Sequence, residues 1–220
     1  MTLKTHRFRV DNHVDIEAFS FRASEHVPSL LLSWLSQWLS ERIDSGTEFR
    51  SGQTIQLGFW QLLCEIENRH LRLQAPLTTG DELAWQADVS DVLRATMVHK
   101  YVPESFGADI DIPSMSQTVT VGTRFSEFPM LASRLPKVDD ELDSGWAFGN
   151  TSDEVDNNGP EQLSVMPLWE ALKLAPWVHD YLSLPPGMQV YFESETPKVL
   201  QDYEPVAALS GSYFESLQGG

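Results

Sequence analysis

The residue types that bind metals are present in this sequence but do not converge. The six histidines stand at positions 6, 13, 26, 70, 99 and 179, without an HxH or HxxxH pair, and Cys64 is the single cysteine. Zinc sites need His and Cys ligands at short, recurring spacings. The sequence therefore predicts no metal centre. Cys64 lies inside an apolar run and is interpreted as a small buried hydrophobe, and one cysteine allows no internal disulfide.

Groups for other chemistry are equally scattered. Ser144 precedes a glycine but lacks the G-x-S-x-G elbow of hydrolases, and the acidic runs at 139–143 and 153–156 do not match a calcium loop. His179 and Asp180 are sequence neighbours, and neighbours on a helix do not face each other. No phosphate-binding glycine motif is present. We predict no catalytic residue and no cofactor, while a carboxylate pair for hydrolysis stays open because an acidic chain offers many such pairs.

The net charge is the strongest compositional feature. The 220 residues carry 15 Lys+Arg against 32 Asp+Glu, a net charge of −17. Residues 1–137 have a net charge of −4, whereas residues 138–220 hold two basic side chains against 15 acidic ones, a net of −13. A nucleic acid or an anionic membrane needs a basic surface, so neither is expected as a partner. The asymmetry favours an acidic interaction surface in the C-terminal part, with solvated loops as the alternative.

Short strands mixed with a few helices are predicted from the apolar spacing. Alternation indicates strands near residues 6–22, a hairpin over 59–74, and further strands at 117–125, 145–148, 163–166 and 188–192. Spacing of three to four residues indicates helices at about 28–44 and 90–101, at 168–174, and from Pro176 onward. This order predicts an α+β fold with mixed or antiparallel sheets, rather than a βαβ series.

Two closely associated subdomains are expected: an N-terminal α+β region over residues 1–137 and an acidic C-terminal α+β domain over residues 138–220. The N-terminus lacks the apolar run of a signal peptide. The longest apolar patch, from Val27 to Leu39, is interrupted by polar residues and is too short for a membrane span. We therefore expect a cytoplasmic protein.

The C-terminal part carries a recognisable series of motifs. Asp143-Ser144-Gly145-Trp146-x-Phe148 is followed by the acidic residues Asp153-Glu154, by Leu163-Ser-Val-Met166, and by Leu182-x-Leu-Pro-x-Gly187-x-x-x-x-Phe192. Over residues 138–192 this series resembles the Imm33-like immunity-protein family of bacterial polymorphic-toxin and type VI secretion gene sets. The resemblance implies a non-enzymatic cytoplasmic protein that binds and neutralises one toxin, with no catalytic residue to transfer.

Charge suggests what kind of toxin that is. Nucleases carry basic substrate clefts, and an acidic inhibitor can be steered into such a cleft. We therefore expect the partner to be a type VI secretion effector with a basic nuclease domain. The alternatives are a carboxylate-dependent hydrolase and a general protein-interaction module. For Trp146, a contact role and a place in the core are both open. The toxin-binding candidates are Asp139, Asp140, Glu141, Asp143, Trp146, Asp153, Glu154 and Asp156.

Overall fold

The structure of this protein is a computed structural model that describes residues 2–10, 15–80, 82–137, 141–155, 159–194 and 197–218. Helices and strands are mixed along the chain, which confirms the predicted α+β class. The chain divides into two compact units, Met1–Met97 and Val98–Gly220.

The first unit is a sheet with one long helix. Its strands are β1 (Leu3–Arg9), β2 (Ala18–Ser24), β3 (Thr54–Leu57), β4 (Trp60–Glu67), β5 (His70–Leu77) and β6 (Ala84–Gln86), and its helix is α1 (Ser29–Asp44). The strand order is β1-β2-β5-β4-β3, with β6 also paired to β5. The predicted hairpin is β4–β5, whose turn residues Asn68 and Arg69 have positive φ angles of 50° and 60°.

The core of the first unit follows from the predicted spacing. Leu35, Leu39 and Ile43 recur every four residues and form the buried stripe of α1. Alternate residues of the strands face the same core, among them Cys64, which is fully buried. Burial raises the pKa of the Cys64 thiol to about 11, so it stays protonated at neutral pH.

The second unit contains a seven-stranded sheet. Its strands are β7 (Thr118–Gly122), β8 (Met130–Arg134), β9 (Asp143–Asn150), β10 (Leu163–Pro167), β11 (Met188–Phe192), β12 (Pro197–Gln201) and β13 (Glu204–Pro205). They follow the order β10-β7-β9-β8-β11-β12-β13. The helices are α2 (Ser90–Glu104), which begins in the first unit, α3 (Leu168–Leu174) and α4 (Tyr213–Gln218), with 3₁₀ helices at Pro160–Gln162 and Pro176–Tyr181.

The two faces of this second sheet differ. Strand register places Val121, Phe148 and Ala132 side by side, all buried, and they define the inner face. Helical segments pack there: the Tyr181 ring contacts Phe192, and the indole of Trp177 reaches Met130. Along each strand, the residues that alternate with these inward-facing ones point to the opposite side of the sheet, which we call the outer face.

Five strands and a helix have no counterpart among the predicted elements: β3, β6, β8, β12, β13 and α4. Strand β8 lies in the segment between the predicted strands at 117–125 and 145–148, and the segment from Pro197 onward contains β12, β13 and α4. Strand β8 lies between β9 and β11, whose backbones pair with it on both sides. The boundary predicted between residues 137 and 138 falls within the second unit, between the antiparallel neighbours β8 and β9.

Candidate functional site

Strand β9 separates the described acidic candidates into two groups. Glu141 and Asp143 precede or begin the strand, whereas Asp153 and Glu154 follow its last residue. An eight-residue strand is roughly 25 Å long, so the two groups lie at opposite ends of β9. Asp143 is half-buried and the other three are exposed. The candidates Asp139, Asp140 and Asp156 lie outside the described residues.

The start of β9 is held by a tight turn. The Oδ1 atom of Asp143 accepts a hydrogen bond from the Gly145 amide at 2.8 Å, and the Ser144 hydroxyl oxygen accepts one from the Trp146 amide at 3.1 Å. Gly145 has a φ of +75°, and a Cβ there would lie 2.6 Å from the Leu135 carbonyl oxygen. Only glycine fits this conformation and this approach. The Asp-Ser-Gly-Trp motif therefore has a structural explanation.

Trp146 lies in the core of the second unit. It is 1% exposed, and its indole N–H donates to the Leu182 carbonyl at 3.1 Å. Its ring packs against Phe148 at a centroid distance of 6.1 Å. In this conformation Trp146 has no surface through which it could touch a partner.

A buried arginine lies beside the same motif. The guanidinium of Arg134 is 3.0 Å from a carboxylate oxygen of Asp111, which also pairs with Lys137, and it lies 5.6 Å from the centre of the Trp146 ring. Burial lowers the pKa of Arg134, while Asp111 and then Asp143 oppose that shift by favouring the charged form. The alternation of Met130, Ala132 and Arg134 was the sequence signal for this position, and it was missed.

The acidic residues after β9 lie beside the loop that joins β7 to β8. The Thr151 amide donates to the Pro129 carbonyl at 2.9 Å, and the Ser152 hydroxyl oxygen accepts from the Glu154 amide at 3.3 Å. Hydrogen bonding and charge from Glu127 raise the pKa of Arg124, and the charge of Glu154 adds to that effect. Glu154 therefore lies in a mixed but predominantly acidic loop region.

Among the described histidines, His99 has a strongly lowered pKa. His99 Nε2 donates to the His179 carbonyl at 2.8 Å, and the two rings lie 4.9 Å apart. Burial, followed by the neighbouring His179, lowers the pKa of His99 to about 3. His99 is fully buried, so this pair is part of the core.

The described residues bring no group of three or more His, Cys, Asp or Glu side chains close enough to bind a metal ion. Among the same residues, no helix combines the length and apolar character that a bilayer span requires.

The second unit thus defines an α+β domain with carboxylates at both ends of β9 and the Asp143–Trp146 turn at the start of that strand. Residues 99–202 match the family model described as Imm33-like domain. The match lies within the second unit, covers just under half of the chain, and confirms the resemblance predicted over 138–192. The chain has no match among curated proteins or among solved structures. An Imm33-like domain indicates an immunity protein, and such a protein has a toxin as its partner.

Proposed function

We propose that this protein is a non-enzymatic immunity protein that binds and neutralises a cognate antibacterial toxin, a type VI secretion nuclease effector, through an acidic surface. The observation that carries the proposal is the position of the Imm33-like domain in the more acidic unit. Residues 98–220 hold six basic against 19 acidic side chains, a net charge of −13.

Charge supports a nuclease as the target. A nuclease binds a polyanion, so its substrate cleft is basic and attracts a unit with a net charge of −13. Such attraction speeds association and weakens as salt is added. A nuclease acts on nucleic acid inside the cell, so the immunity protein is proposed to work in the cytoplasm.

The test is co-expression with the toxin encoded by the adjacent gene. We expect cells to survive the toxin only when this protein is present, and the purified pair to form a stoichiometric complex that weakens at high salt. As a control, an effector from an unrelated gene set should remain lethal. A cognate toxin that kills co-expressing cells, or an adjacent gene that encodes no toxin, would contradict the proposal.

A further inference from the structure

The outer face of the second sheet is uncharged across five neighbouring strands. Register aligns Val165, Thr120, Ala147, Ser133 and Gln189 in one row across β10, β7, β9, β8 and β11. The only charged residues in these five strands are Arg134, which points inward, and Asp143 at the first position of β9. The outward side chains of these five strands are therefore uncharged between the strand ends, and Lys198 of β12, which pairs with Glu193, borders the face beside Tyr191.

The outer face is open to solvent at its β10 edge. Val165 and Leu163 of β10 are 66% and 45% exposed and point outward, since they pair with the outward residues Thr120 and Gly122. The helical contacts described above, from Tyr181 and Trp177, reach the inner face. Exposed apolar residues next to a neutral sheet surface are a common mark of a protein-binding site.

The β10 edge differs from the β1 edge of the first sheet in its lack of charged side chains, although its last residue is Pro167. In the first unit, the edge strand β1 carries the exposed cations Lys4, Arg7 and Arg9, which discourage pairing with another chain. Strand β13, at the far edge of the second sheet, is only two residues long. Strand β10 has five residues and no charged side chain. An exposed edge of this kind is suited to being covered by a partner.

The uncharged face is smaller than a standard protein–protein interface, so residues around its rim must also contact the partner. Five strands spaced about 4.8 Å apart and about five residues long offer roughly 300 Å², whereas a standard interface buries about 800 Å² on each partner. A partner of that size must extend beyond the strand ends. Asp143 lies at one end, and Asp153 and Glu154 lie at the other.

The rim determines the charge of the partner. Carboxylates at both ends of an uncharged centre repeat the usual arrangement of an interface, with an apolar core and a polar rim. They attract a cationic protein surface, while a second copy of this chain would bring another net charge of −17. We propose that the outer face of β10, β7, β9, β8 and β11 is where the toxin binds, through a surface with an apolar centre and basic surroundings.

This inference rests on the proposed function, and its test uses point variants in the full chain. A lysine on this face would repel a cationic partner and disrupt close packing. We expect Val165→Lys and Thr120→Lys each to raise the Kd for the purified, catalytically inactive product of the adjacent toxin gene at least tenfold. The matched control is Leu30→Lys, an exposed apolar residue of α1 in the first unit, 74% exposed, which should stay within twofold of wild type.

Far-UV circular dichroism and thermal melting accompany each titration. Val165 is mostly exposed, so Val165→Lys should keep the wild-type fold even if Thr120→Lys loses stability. If folded Val165→Lys binds with a wild-type Kd and still protects cells, this surface is excluded while the proposed function stands. If wild type itself neither binds nor protects, the proposed function fails. Analytical ultracentrifugation tests whether the free wild-type protein is a dimer. If it is, and if Val165→Lys dissociates the dimer without changing the Kd for the toxin, the face binds a second copy of this chain and the proposal is overturned.

Discussion

The guanidinium of Arg134 is completely buried and lies 3.0 Å from the carboxylate of Asp111, which is 33% exposed. Two of its nitrogens, Nε and Nη1, have no hydrogen-bond partner within the described part of the chain. Asp111 is therefore the main group that stabilises the positive charge of Arg134 inside the second unit. Removing one member of a buried pair costs more than removing both, because the remaining charge stays desolvated.

We expect Asp111→Ala to lower the free energy of unfolding by about 2–4 kcal/mol. The double variant Asp111→Ala/Arg134→Met should be more stable than Asp111→Ala, since it removes the uncompensated charge. Urea denaturation of wild type and of the two variants measures both differences. A double variant less stable than Asp111→Ala would show that Arg134 stabilises the core by some other contact.

The Gly145 position tests the role of the Asp-Ser-Gly-Trp turn. A methyl group there would meet the Leu135 carbonyl oxygen at 2.6 Å, in a backbone conformation that already disfavours side chains. We expect Gly145→Ala to cost about 2–4 kcal/mol of unfolding free energy. Gly187→Ala is the matched control, because its φ is +94° but no atom lies within 4 Å of the added Cβ; it should cost about 1 kcal/mol. Equal costs at the two positions would exclude a steric role.

Replacement of Trp146 separates its packing role from a contact role. Trp146→Phe keeps an aromatic ring but loses the hydrogen bond to the Leu182 carbonyl, so we expect a loss of about 1–3 kcal/mol in unfolding free energy. The Kd for the toxin should not change at temperatures where the variant is folded. Chemical denaturation and calorimetric titration give the two quantities. A stable variant with weakened binding would assign Trp146 to the interface.

His99 predicts how stability depends on pH. Its pKa is about 3 in the folded protein, against 6.5 for an ordinary histidine, so the unfolded chain binds a proton at higher pH than the folded chain. The stabilisation is fully present above pH 6.5 and is lost as the pH falls from 6.5 toward 3, by about 1.4 kcal/mol per pH unit.

We expect His99→Gln to flatten the fall in stability between pH 6.5 and 5 relative to wild type. The control is His26→Gln, an exposed histidine in the first unit, which should leave the pH profile unchanged. Urea midpoints measured across this pH range provide the comparison. Parallel profiles for wild type and His99→Gln would contradict a neutral buried imidazole.

The carboxylates after β9 should act mainly on the rate of toxin binding. We expect Glu154→Lys to lower the association rate constant several-fold at low salt, with the difference shrinking at 0.5 M salt, where the Debye length is only about 4 Å. Asp44→Lys makes the same change in net charge at an exposed residue of α1 in the first unit and should have a smaller effect. Stopped-flow mixing measures the rates. Equal effects of the two variants would indicate that only net charge matters.

Local sequence signals predicted most of the elements of this fold. The three-to-four-residue spacing of Leu31, Leu35, Trp38 and Ile43 indicated α1, and apolar alternation indicated the β4–β5 hairpin. These elements are encoded by neighbouring residues, through spacing and turn chemistry. Strands β8 and β12 could not be found in the same way, because their apolar alternation is weak: the buried side of β8 includes the charged residue Arg134, and Val199 is the one buried residue of β12.

For the candidate site too, some features could be predicted from the sequence and others required the tertiary structure. Composition alone determined the charge asymmetry, and the order Asp-Ser-Gly-Trp with its following segments was enough to predict the Imm33-like resemblance. Sequence spacing placed Asp143, Trp146 and Asp153 within a few residues of one another. The tertiary structure decided that the carboxylates lie at opposite ends of β9 and that Trp146 lies inside. The physical reason is the geometry of an extended strand, which separates residues at its two ends and points successive side chains to opposite faces. Which of the two faces is buried depends on where the helices pack, and that is a property of the tertiary structure.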